Sequence, residues 1–477
     1  MRKPAVVFRL YRAETLILSR LALPIVFGQL GIMLMGVADV IQVGHLETGA
    51  KFALDAAGVA NGVWISVAIF GFNALYVVAP MVSKAHEEAR PDEIGRLLRA
   101  SLWVSLKMAL FCVTVMAVLA FNFHWFGQNP RVTALATPFL LFLAASTVPM
   151  FLFTAFRQMS DGLSHTRVAM GITLSALLLN ILLNYLLING NWGFPPLGLN
   201  GSGIATLTAR TYMALAIWGY VRYGKLFRNY LSLALNPPPE KRRKRGEEAQ
   251  SLQVKIFRLG IPSGFQGFFE IAVFALASVM IGWLGEDQLA AHLIAINPAS
   301  VTYMMVTGLA TAGGIRVGAG MGQRNRSAVL KSGTTALVLG GAFMALCCLV
   351  FLTANEQIVS LYIRDEAVAP IAAGLLLIAG VFQFFDGIQA VSLGLLRGLA
   401  DVNIPTAVTL FAYWVVGLPV GCLLTFQYRF DVTGIWIGLT AGLMVAAILL
   451  SWRFVVKARK LRFSHRIKAV DSTRGKK

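Results

Sequence analysis

Uninterrupted apolar runs recur along this whole sequence, and they constrain its fold more than any other feature. Many of them extend for about 18 residues or more, which is long enough for a helix to cross a bilayer. Only 13% of the residues are charged, whereas a soluble domain has about 25%. The sequence therefore predicts an all-α integral membrane protein, with no soluble domain of usual size between its spans.

The apolar runs predict twelve transmembrane helices, six in each half of the chain. The first six are expected at residues 16–42, 56–82, 100–121, 134–156, 167–188 and 201–223. The last six are expected at residues 256–284, 290–316, 332–353, 368–396, 405–426 and 432–456.

The basic residues indicate how the spans are oriented. The formal net charge is +20, which by itself would also suit a nucleic-acid-binding protein. Lys and Arg crowd into alternate loops, however, as expected for the cytoplasmic loops of a membrane protein. The intervening loops hold only Lys51, Arg131, Arg364 and Arg429. We therefore expect a multi-pass protein of the cell (inner or plasma) membrane, with both termini cytoplasmic and no nucleic-acid partner.

The two halves repeat each other. Arg20-Leu-Ala-Leu-Pro24 matches Arg258-Leu-Gly-Ile-Pro262, and Arg157-x-x-x-Asp161 recurs at nearly the same spacing as Arg397-x-x-x-Asp401. Because both halves have six spans and start on the same side, the repeat is parallel. This pattern predicts two pseudo-symmetric six-helix lobes around a central cavity, as in several secondary transporters.

The repeat also predicts the domain boundaries. The expected parts are an N-lobe, a basic cytoplasmic linker, a C-lobe and a basic cytoplasmic tail, at residues 1–235, 236–254, 255–457 and 458–477. Pro24 and Pro262 each lie one turn inside the first helix of a lobe, where proline removes a hydrogen bond and often bends the helix. We expect both to act as hinges.

Three acidic residues lie inside predicted spans, namely Asp39, Glu270 and Asp386. A charged carboxylate at bilayer depth costs about 2.5–3.5 kcal/mol, so a functional role is the first hypothesis and pairing with a neighbouring helix is the second. Glu270 and Asp386 are expected about 18 and 16 Å from the cytoplasmic end, given the helical rise per residue. Two carboxylates at one depth suit a Na⁺ site or proton coupling.

The first half has its own polar cluster. Asp39 is expected about 28 Å from Arg20, while Asn180 and Asn184 are expected about 20 and 26 Å from Arg167. The i, i+4 spacing of the two Asn residues places both amides on one helix face. Arg210 also lies inside a span, where it can counter an acid or bind an anionic group.

The sequence has no nucleotide-binding, zinc-protease or nucleophile motif. We therefore expect no cofactor and no enzyme activity, and we expect transport to be driven by an ion gradient. Two small-residue motifs, Gly417-x-x-x-Gly421 and Gly434-x-x-x-Gly438, permit close packing of helices.

Several segments together resemble the multidrug and toxic compound extrusion (MATE) family, particularly its bacterial NorM-type branch. They are Leu23-Pro24 with Gln29, Asp39 with Gly44, Asn180-x-x-x-Asn184-Tyr, Ile261–Glu270, Ala290–Asn297 and Phe382–Gln389. The resemblance covers almost the whole chain, and it is the combination of motifs that is specific.

The resemblance implies export of cationic or amphipathic drugs in exchange for Na⁺ or H⁺, by a protein that functions as a monomer. It implies that Glu270, Asp386 and Asp39 couple the ion, and that Asn180, Asn184 and Gln29 contribute polar groups. Phe382 stands where some relatives place a Tyr, so an aromatic ring is present without its hydroxyl.

Two other functions are open at this point. A flippase of the wider superfamily would move a lipid-linked oligosaccharide and would line its cavity with basic residues, of which Arg210 is the main candidate. An intramembrane enzyme would need a nucleophile or metal cluster within the spans, and the sequence offers none.

Overall fold

The computed structural model describes residues 4–46, 49–127, 129–235, 242–363 and 365–463. These residues are almost entirely helical and include no β-strand, which confirms the predicted all-α fold. The helices of the first half are α1 (Pro4–Gly44), α2 (Ala50–Leu75), α3 (Val78–Glu87), α4 (Pro91–Phe121), α5 (Pro130–Gly162), α6 (Thr166–Leu187), α7 (Leu199–Tyr223) and α8 (Lys225–Leu235).

The second half repeats this succession of long helices. Its elements are α9 (Arg242–Gly282), α10 (Glu286–Gly322), α11 (Arg326–Thr353), α12 (Asn355–Ser360), α13 (Val368–Gly398), α14 (Asn403–Leu410), α15 (Leu418–Cys422) and α16 (Asp431–Lys460). Two π-helical turns, Phe411–Gly417 and Leu423–Gln427, flank α15 and make one continuous span with it and α14.

Eleven helical segments of the described residues are long and apolar enough to cross a membrane. The predicted sixth span is also present as a helix, α7, but it is not apolar enough to join that set. Arg210 lies in the middle of α7, and its charge lowers the hydropathy of the helix. The described residues thus include eleven strongly apolar spans and a twelfth, less apolar helix, α7.

The predicted linker, residues 236–254, is not extended over its described part. Residues 236–241 lie outside the described residues, and α9 begins at Arg242. The segment that follows is rich in Arg, Lys, Glu and Gln, which are good helix formers, so α9 continues into it. Residues 242–254 are therefore the first turns of the seventh spanning helix.

Apolar packing joins the two halves. One buried cluster, around Leu140 and Phe151, lies mainly in the first half but also includes Ile256 of α9 and Val402. Another lies within the second half, around Phe382 and Trp436. A third cluster places Leu18 of α1 among residues of α10, α11, α13 and α16. The first helix therefore contributes to the core of both halves.

Glycines allow helices to approach closely at the boundary between the halves. A Cβ added to Gly260 would lie 2.7 Å from the Ala74 carbonyl oxygen, and one added to Gly264 would lie 2.8 Å from that of Phe70. A Cβ on Gly267 would meet the Asn73 amide even more closely. We call this contact between α9 and α2 the glycine seam, because only glycine fits at these three positions without displacement of α2.

The two small-residue motifs near the C-terminus also face each other. A Cβ on Gly438 of α16 would overlap the backbone of Gly421, and a Cβ on Gly417 would lie 3.2 Å from the Gly438 carbonyl oxygen. The last two spans are therefore in backbone contact.

Polar contacts between the halves lie towards one end of the bundle, where α3 and α10 end and α11 begins. We call it the basic end, since its loops hold many of the Lys and Arg residues. Here Glu14 of α1, only 1% exposed, accepts hydrogen bonds from Arg316 at 2.9 Å and from Ser332 at 2.7 Å. Lys331 pairs with the same carboxylate at 3.2 Å.

Candidate functional site

Glu270 lies midway along α9 and has a hydrogen-bond donor on each carboxylate oxygen. The Gln266 amide nitrogen donates to Oε2 at 3.0 Å, and the Tyr303 hydroxyl donates to Oε1 at 3.1 Å. Gln266 lies one turn earlier on the same face of α9, and Tyr303 belongs to α10. With 8% of its surface exposed, Glu270 is a buried and well-oriented acid.

Asp386 lies on α13, is 5% exposed, and interacts electrostatically with Glu270. Among the described residues, no donor lies within hydrogen-bonding distance of its carboxylate. A buried carboxylate without a partner is costly unless it takes up a proton or a cation. Glu270 and Asp386, which the sequence placed at one depth, therefore lie near each other in the structure. Of the two acids, Asp386 lacks a hydrogen-bond donor among the described residues.

Two amides flank Asp386 on α13, and each has a buried nitrogen without a partner. Gln383 accepts a hydrogen bond from Thr302, and Gln389 accepts one from the Tyr413 hydroxyl at 2.6 Å. In both residues the oxygen is therefore occupied while the amide nitrogen is unpaired. This part of α13 has unpaired polar groups on both sides of Asp386, as expected for a site that binds a solute.

Phe382 lies one turn before Asp386 and belongs to an aromatic cluster. Its ring packs edge-to-face against Phe274, with centroids 6.0 Å apart, and against Trp436 at 5.5 Å. Phe382 is buried in the second half, so it does not share a cluster with Asn180 and Asn184 in the first half.

The polar cluster of the first half forms around Asp39. The Asn184 and Asn180 amides donate to its Oδ1 at 2.5 and 3.1 Å, and the Thr206 hydroxyl donates to Oδ2 at 2.8 Å. The structure therefore brings together the three residues Asp39, Asn180 and Asn184 that the sequence placed in one cluster. It adds Thr206 from α7, so that three helices meet at one carboxylate.

Arg210 lies one turn after Thr206 on α7 and supplies the opposite charge. Its guanidinium carbon lies 4.1 Å from the centre of the Trp64 ring, and its Nη1 donates to the Ser146 hydroxyl at 2.8 Å. Arg210 and Asp39 attract each other electrostatically. The cluster of the first half thus contains one negative and one positive side chain.

Three predicted residues lie apart from both clusters. Gln29 is partly buried on α1, and no hydrogen bond of the described residues links it to Asp39. Pro24 and Pro262 lie inside α1 and α9, each of which is a single continuous helix. The carbonyl oxygen of Pro262 accepts a hydrogen bond from Thr406 at 2.8 Å. The hinge role of the two prolines stays a prediction.

The repeated Arg-x-x-x-Asp motif has different partners in the two halves. Arg157 pairs with its own Asp161 at 3.4 Å. In the second half, Asp401 pairs with Arg453 at 2.8 Å, and Arg397 is left to bind elsewhere. The sequence repeat therefore does not extend to these side-chain contacts.

Arg397 lies close to the Glu270 site. Its Nη2 donates to the Gln266 amide oxygen and to the Asn73 amide oxygen, each at 2.8 Å. Because Gln266 also binds Glu270, the site in the second half is connected to α2 in the first half.

Sequence reasoning missed most of the uncharged members of these clusters. Gln266 precedes Glu270 by one helical turn, and Thr206 precedes Arg210 by one turn, so an i, i+4 search from the charged residues would have found both. Tyr303 has no such signal, because it reaches Glu270 from another helix.

The described residues contain no group of three or more His, Cys, Asp or Glu side chains that could hold a metal. Glu270, Asp386 and Tyr303 instead offer carboxylate and hydroxyl oxygens. Such hard donors suit a small cation that also has water ligands, or a proton, and do not suit zinc or copper.

A repeated helical bundle that spans the membrane and buries acids at the level of its middle is a polytopic membrane transporter. The family model MatE matches residues 24–186 and 262–423. The chain belongs to the MATE family and is of the NorM type, as its motifs predicted, and it is a transporter and not an enzyme.

Curated relatives and solved structures match this chain over nearly its full length. The chain is 33% identical to a "Probable multidrug resistance protein NorM" of Rhizobium meliloti over 447 residues, which is 92% of this chain and 93% of that protein. It is also 33% identical to a protein of that name from Mesorhizobium japonicum, over 96% of this chain and 97% of the relative. The crystal structure of the eukaryotic MATE transporter AtDTX14 superposes with a TM-score of 0.83 at 20% identity, over 95% of this chain and 99% of that one.

Proposed function

We propose that this protein is a secondary active multidrug exporter that exchanges cationic or amphipathic small molecules for Na⁺ or H⁺. The observation that supports this most directly is the pair of buried acids, Glu270 and Asp386, of which Asp386 has no donor among the described residues. The names of the relatives, which describe multidrug resistance proteins, support drugs as the cargo.

The charge balance of the second half favours cation exchange. Two carboxylates face one Arg, so the site has an excess of negative charge when both acids are ionised. In a low dielectric that excess attracts a cation or a proton strongly. A cationic drug and a coupling ion would therefore compete for the same carboxylates, and such competition is the basis of antiport.

The contacts between the halves support alternating access. The basic end corresponds to the cytoplasmic side by the distribution of Lys and Arg, with both termini on that side of the cell membrane. Polar contacts of Glu14 with Arg316, Lys331 and Ser332 hold the halves together there, so in the proposed cycle a solute enters between the lobes from the opposite side. Rigid-body movement of the lobes would then expose the same acids to the cytoplasm. One chain contains both lobes, so a monomer suffices.

Transport in proteoliposomes tests the proposal. Na⁺ and pH gradients are imposed separately, and ethidium or norfloxacin movement is followed. The double variant Glu270→Gln/Asp386→Asn should lose the ion-driven component, whereas Glu366→Gln, which changes an exposed acid at the end of the bundle opposite the basic end, should keep it. Ion-driven movement of normal size in the double variant would overturn the proposal.

The flippase alternative gains no support from Arg210. Its guanidinium is stacked on Trp64 and bonded to Ser146, inside the first half. Complementation of a cell-wall flippase deletion would distinguish the two functions.

A further inference from the structure

A continuous series of hydrogen bonds connects Glu270 in the second half with Asn73 in the first. Gln266 donates to Glu270, Arg397 donates to Gln266, and the same Arg397 nitrogen donates to Asn73. The three distances are 3.0, 2.8 and 2.8 Å. We call these four residues the interlobe chain, since α9 and α13 belong to one half and α2 to the other.

The orientation of every amide in the interlobe chain follows from its partners. The Asn73 nitrogen donates to the Ile69 carbonyl oxygen at 3.2 Å, which leaves its oxygen for Arg397. The Gln266 nitrogen donates to Glu270, which likewise leaves its oxygen for Arg397. Glu270 can only accept and Arg397 can only donate, so these two charged residues fix the direction of all three bonds.

Arg397 depends on Glu270 for its counter-charge. The acid one turn further along the chain, Asp401, is already paired with Arg453 at 2.8 Å and with Lys457 at 3.0 Å. Among the described residues no carboxylate forms an ion pair with Arg397. It attracts Glu270 electrostatically across Gln266.

We infer that Gln266 and Arg397 transmit the charge state of Glu270 to the contact between the lobes. The inference rests on the proposed function, in which Glu270 binds the coupling ion. Both residues are positioning residues, because the ion would contact Glu270 and not them. The repeat counterpart of Arg397, Arg157, differs because it pairs with an acid of its own, Asp161.

The direction of the effect follows from the bonds. A hydrogen bond to an ionised carboxylate is about twice as strong as one between neutral groups, so a proton or cation on Glu270 weakens the bond from Gln266. Gln266 can then turn, Arg397 loses both an acceptor and its counter-charge, and the bond to Asn73 weakens. An ion that arrives from the side opposite the basic end thereby loosens the contact that closes the basic end, which is the order of events that antiport requires.

Other titratable groups surround the interlobe chain and would share in any pH dependence. Tyr303 of α10, Asp386 of α13 and Tyr413 of the eleventh span interact electrostatically with Glu270. Tyr76, which directly follows α2, interacts electrostatically with Arg397. Asp386 is the second carboxyl group beside Glu270, so its variant Asp386→Asn is needed to separate the two acids.

The test measures the distance between the lobes at the basic end. Spin labels are placed at His86→Cys and Ser327→Cys, which are exposed on α3 and α11, after replacement of the four native cysteines. Distances are measured in nanodiscs by double electron–electron resonance, with and without Na⁺ and at high and low pH. The variants are Gln266→Met, which removes the amide at similar size, and Arg397→Lys, which keeps the charge but not the two-fold contact. Gln250→Met is the control, since it changes an exposed Gln of the same helix.

In the parent protein and the control, the ion should shift the distance distribution towards larger separation. In Gln266→Met and Arg397→Lys that shift should be lost. Both variants should still bind the dye and Na⁺ in calorimetry, which shows that they are folded, and the Na⁺ affinity of Gln266→Met should change because its amide contacts Glu270. A shift of parental size in both variants would overturn the inference, as would a parent protein that does not respond to the ion. Normal ion-driven efflux by Glu270→Gln/Asp386→Asn would instead refute the proposed function, so the two failures are distinguishable.

Discussion

Both halves of this transporter bury acids, but the side chains around those acids differ. Asp39 in the first half accepts three hydrogen bonds and has Arg210 nearby. In the second half, Glu270 accepts two hydrogen bonds, and Asp386 accepts none from the described residues. Among the described residues, the Asp39 carboxylate has donors on both oxygens and a cation nearby, although the buried Asn184 Oδ1 beside it is unpaired. The second site has more negative charge than its neighbours compensate.

We expect this difference to distinguish an acid that stabilises the fold from one that exchanges ions. A satisfied, neutralised carboxylate gains little from a proton or Na⁺, because binding would break existing hydrogen bonds. A pair of carboxylates whose negative charge is only partly compensated is strongly stabilised when it binds a proton or Na⁺. In a duplicated fold, one lobe can therefore use its buried acid for stability while the other lobe uses its acids to respond to the ion.

The largest loss of ion-driven efflux is expected when Glu270 and Asp386 are both neutralised. Neutralisation of Asp39 should have a smaller effect. Glu270→Gln/Asp386→Asn should reduce ion-driven efflux by about tenfold or more, a loss of at least about 1.4 kcal/mol of transition-state stabilisation. Asp39→Asn should lower the rate but leave its dependence on the ion gradient unchanged, because the excess negative charge lies elsewhere. The measurement is initial efflux rate against the imposed gradient. An Asp39→Asn protein that still transports but ignores the gradient would reverse the assignment of the two halves.

A large effect on stability is expected from Arg210. Arg210→Met removes the cation that attracts Asp39 and leaves Ser146 without its charged donor, and a hydrogen bond from a charged group contributes about 1.5–3 kcal/mol. The thermal midpoint of the purified protein should fall, while the ion dependence of the remaining transport is unchanged. Arg222→Met, an exposed change on the same helix, is the control. Unaltered stability would mean that the first cluster is not held by charge balance.

A smaller effect is expected at Phe382. Phe382→Tyr places a hydroxyl among Phe274 and Trp436, and a buried hydroxyl without a partner costs about 1–3 kcal/mol. Stability should fall moderately while the Na⁺ affinity stays the same, as measured by thermal unfolding and calorimetry. An increase in Na⁺ affinity would show that the new hydroxyl reaches the ion, and would extend the responsive site by one helical turn.

The smallest effect is expected at Gln29. Since no hydrogen bond of the described residues links it to either cluster, Gln29→Leu should change stability by about 0.5 kcal/mol or less. Efflux rate and gradient dependence should match those of the parent protein. A marked loss of drug transport, with the ion response intact, would instead place Gln29 in the path of the drug.

The features that could be predicted from the sequence follow from the length of the apolar runs, from helical spacing and from the free-energy cost of burying charge in a bilayer. The spans were predictable because a bilayer demands long apolar runs, and Asp39, Asn180 and Asn184 were predictable as a cluster because depth and an i, i+4 spacing constrain them. Glu270 and Asp386 stood out because charges are expensive at that depth.

The side-chain contacts that the sequence could not predict depend on how each helix is rotated about its axis. Hydropathy does not determine that rotation, so it could not show that Tyr303 points at Glu270 or that Arg397 turns away from Asp401. The start of α9 at Arg242 was missed for a different reason. A run of like charges and prolines suggested an extended linker, although the residues after it are good helix formers.

The glycine seam has a consequence for speed. Interlocked side chains must change rotamer before two helices separate, and each such change adds to the activation barrier. Gly260, Gly264 and Gly267 have no side chains, so at these three positions α9 has nothing to withdraw when the lobes part. We therefore expect the turnover number to be limited by the polar contacts near the seam and not by the seam itself. Separation of the helices at the three glycines should add little to the activation barrier of each transport cycle.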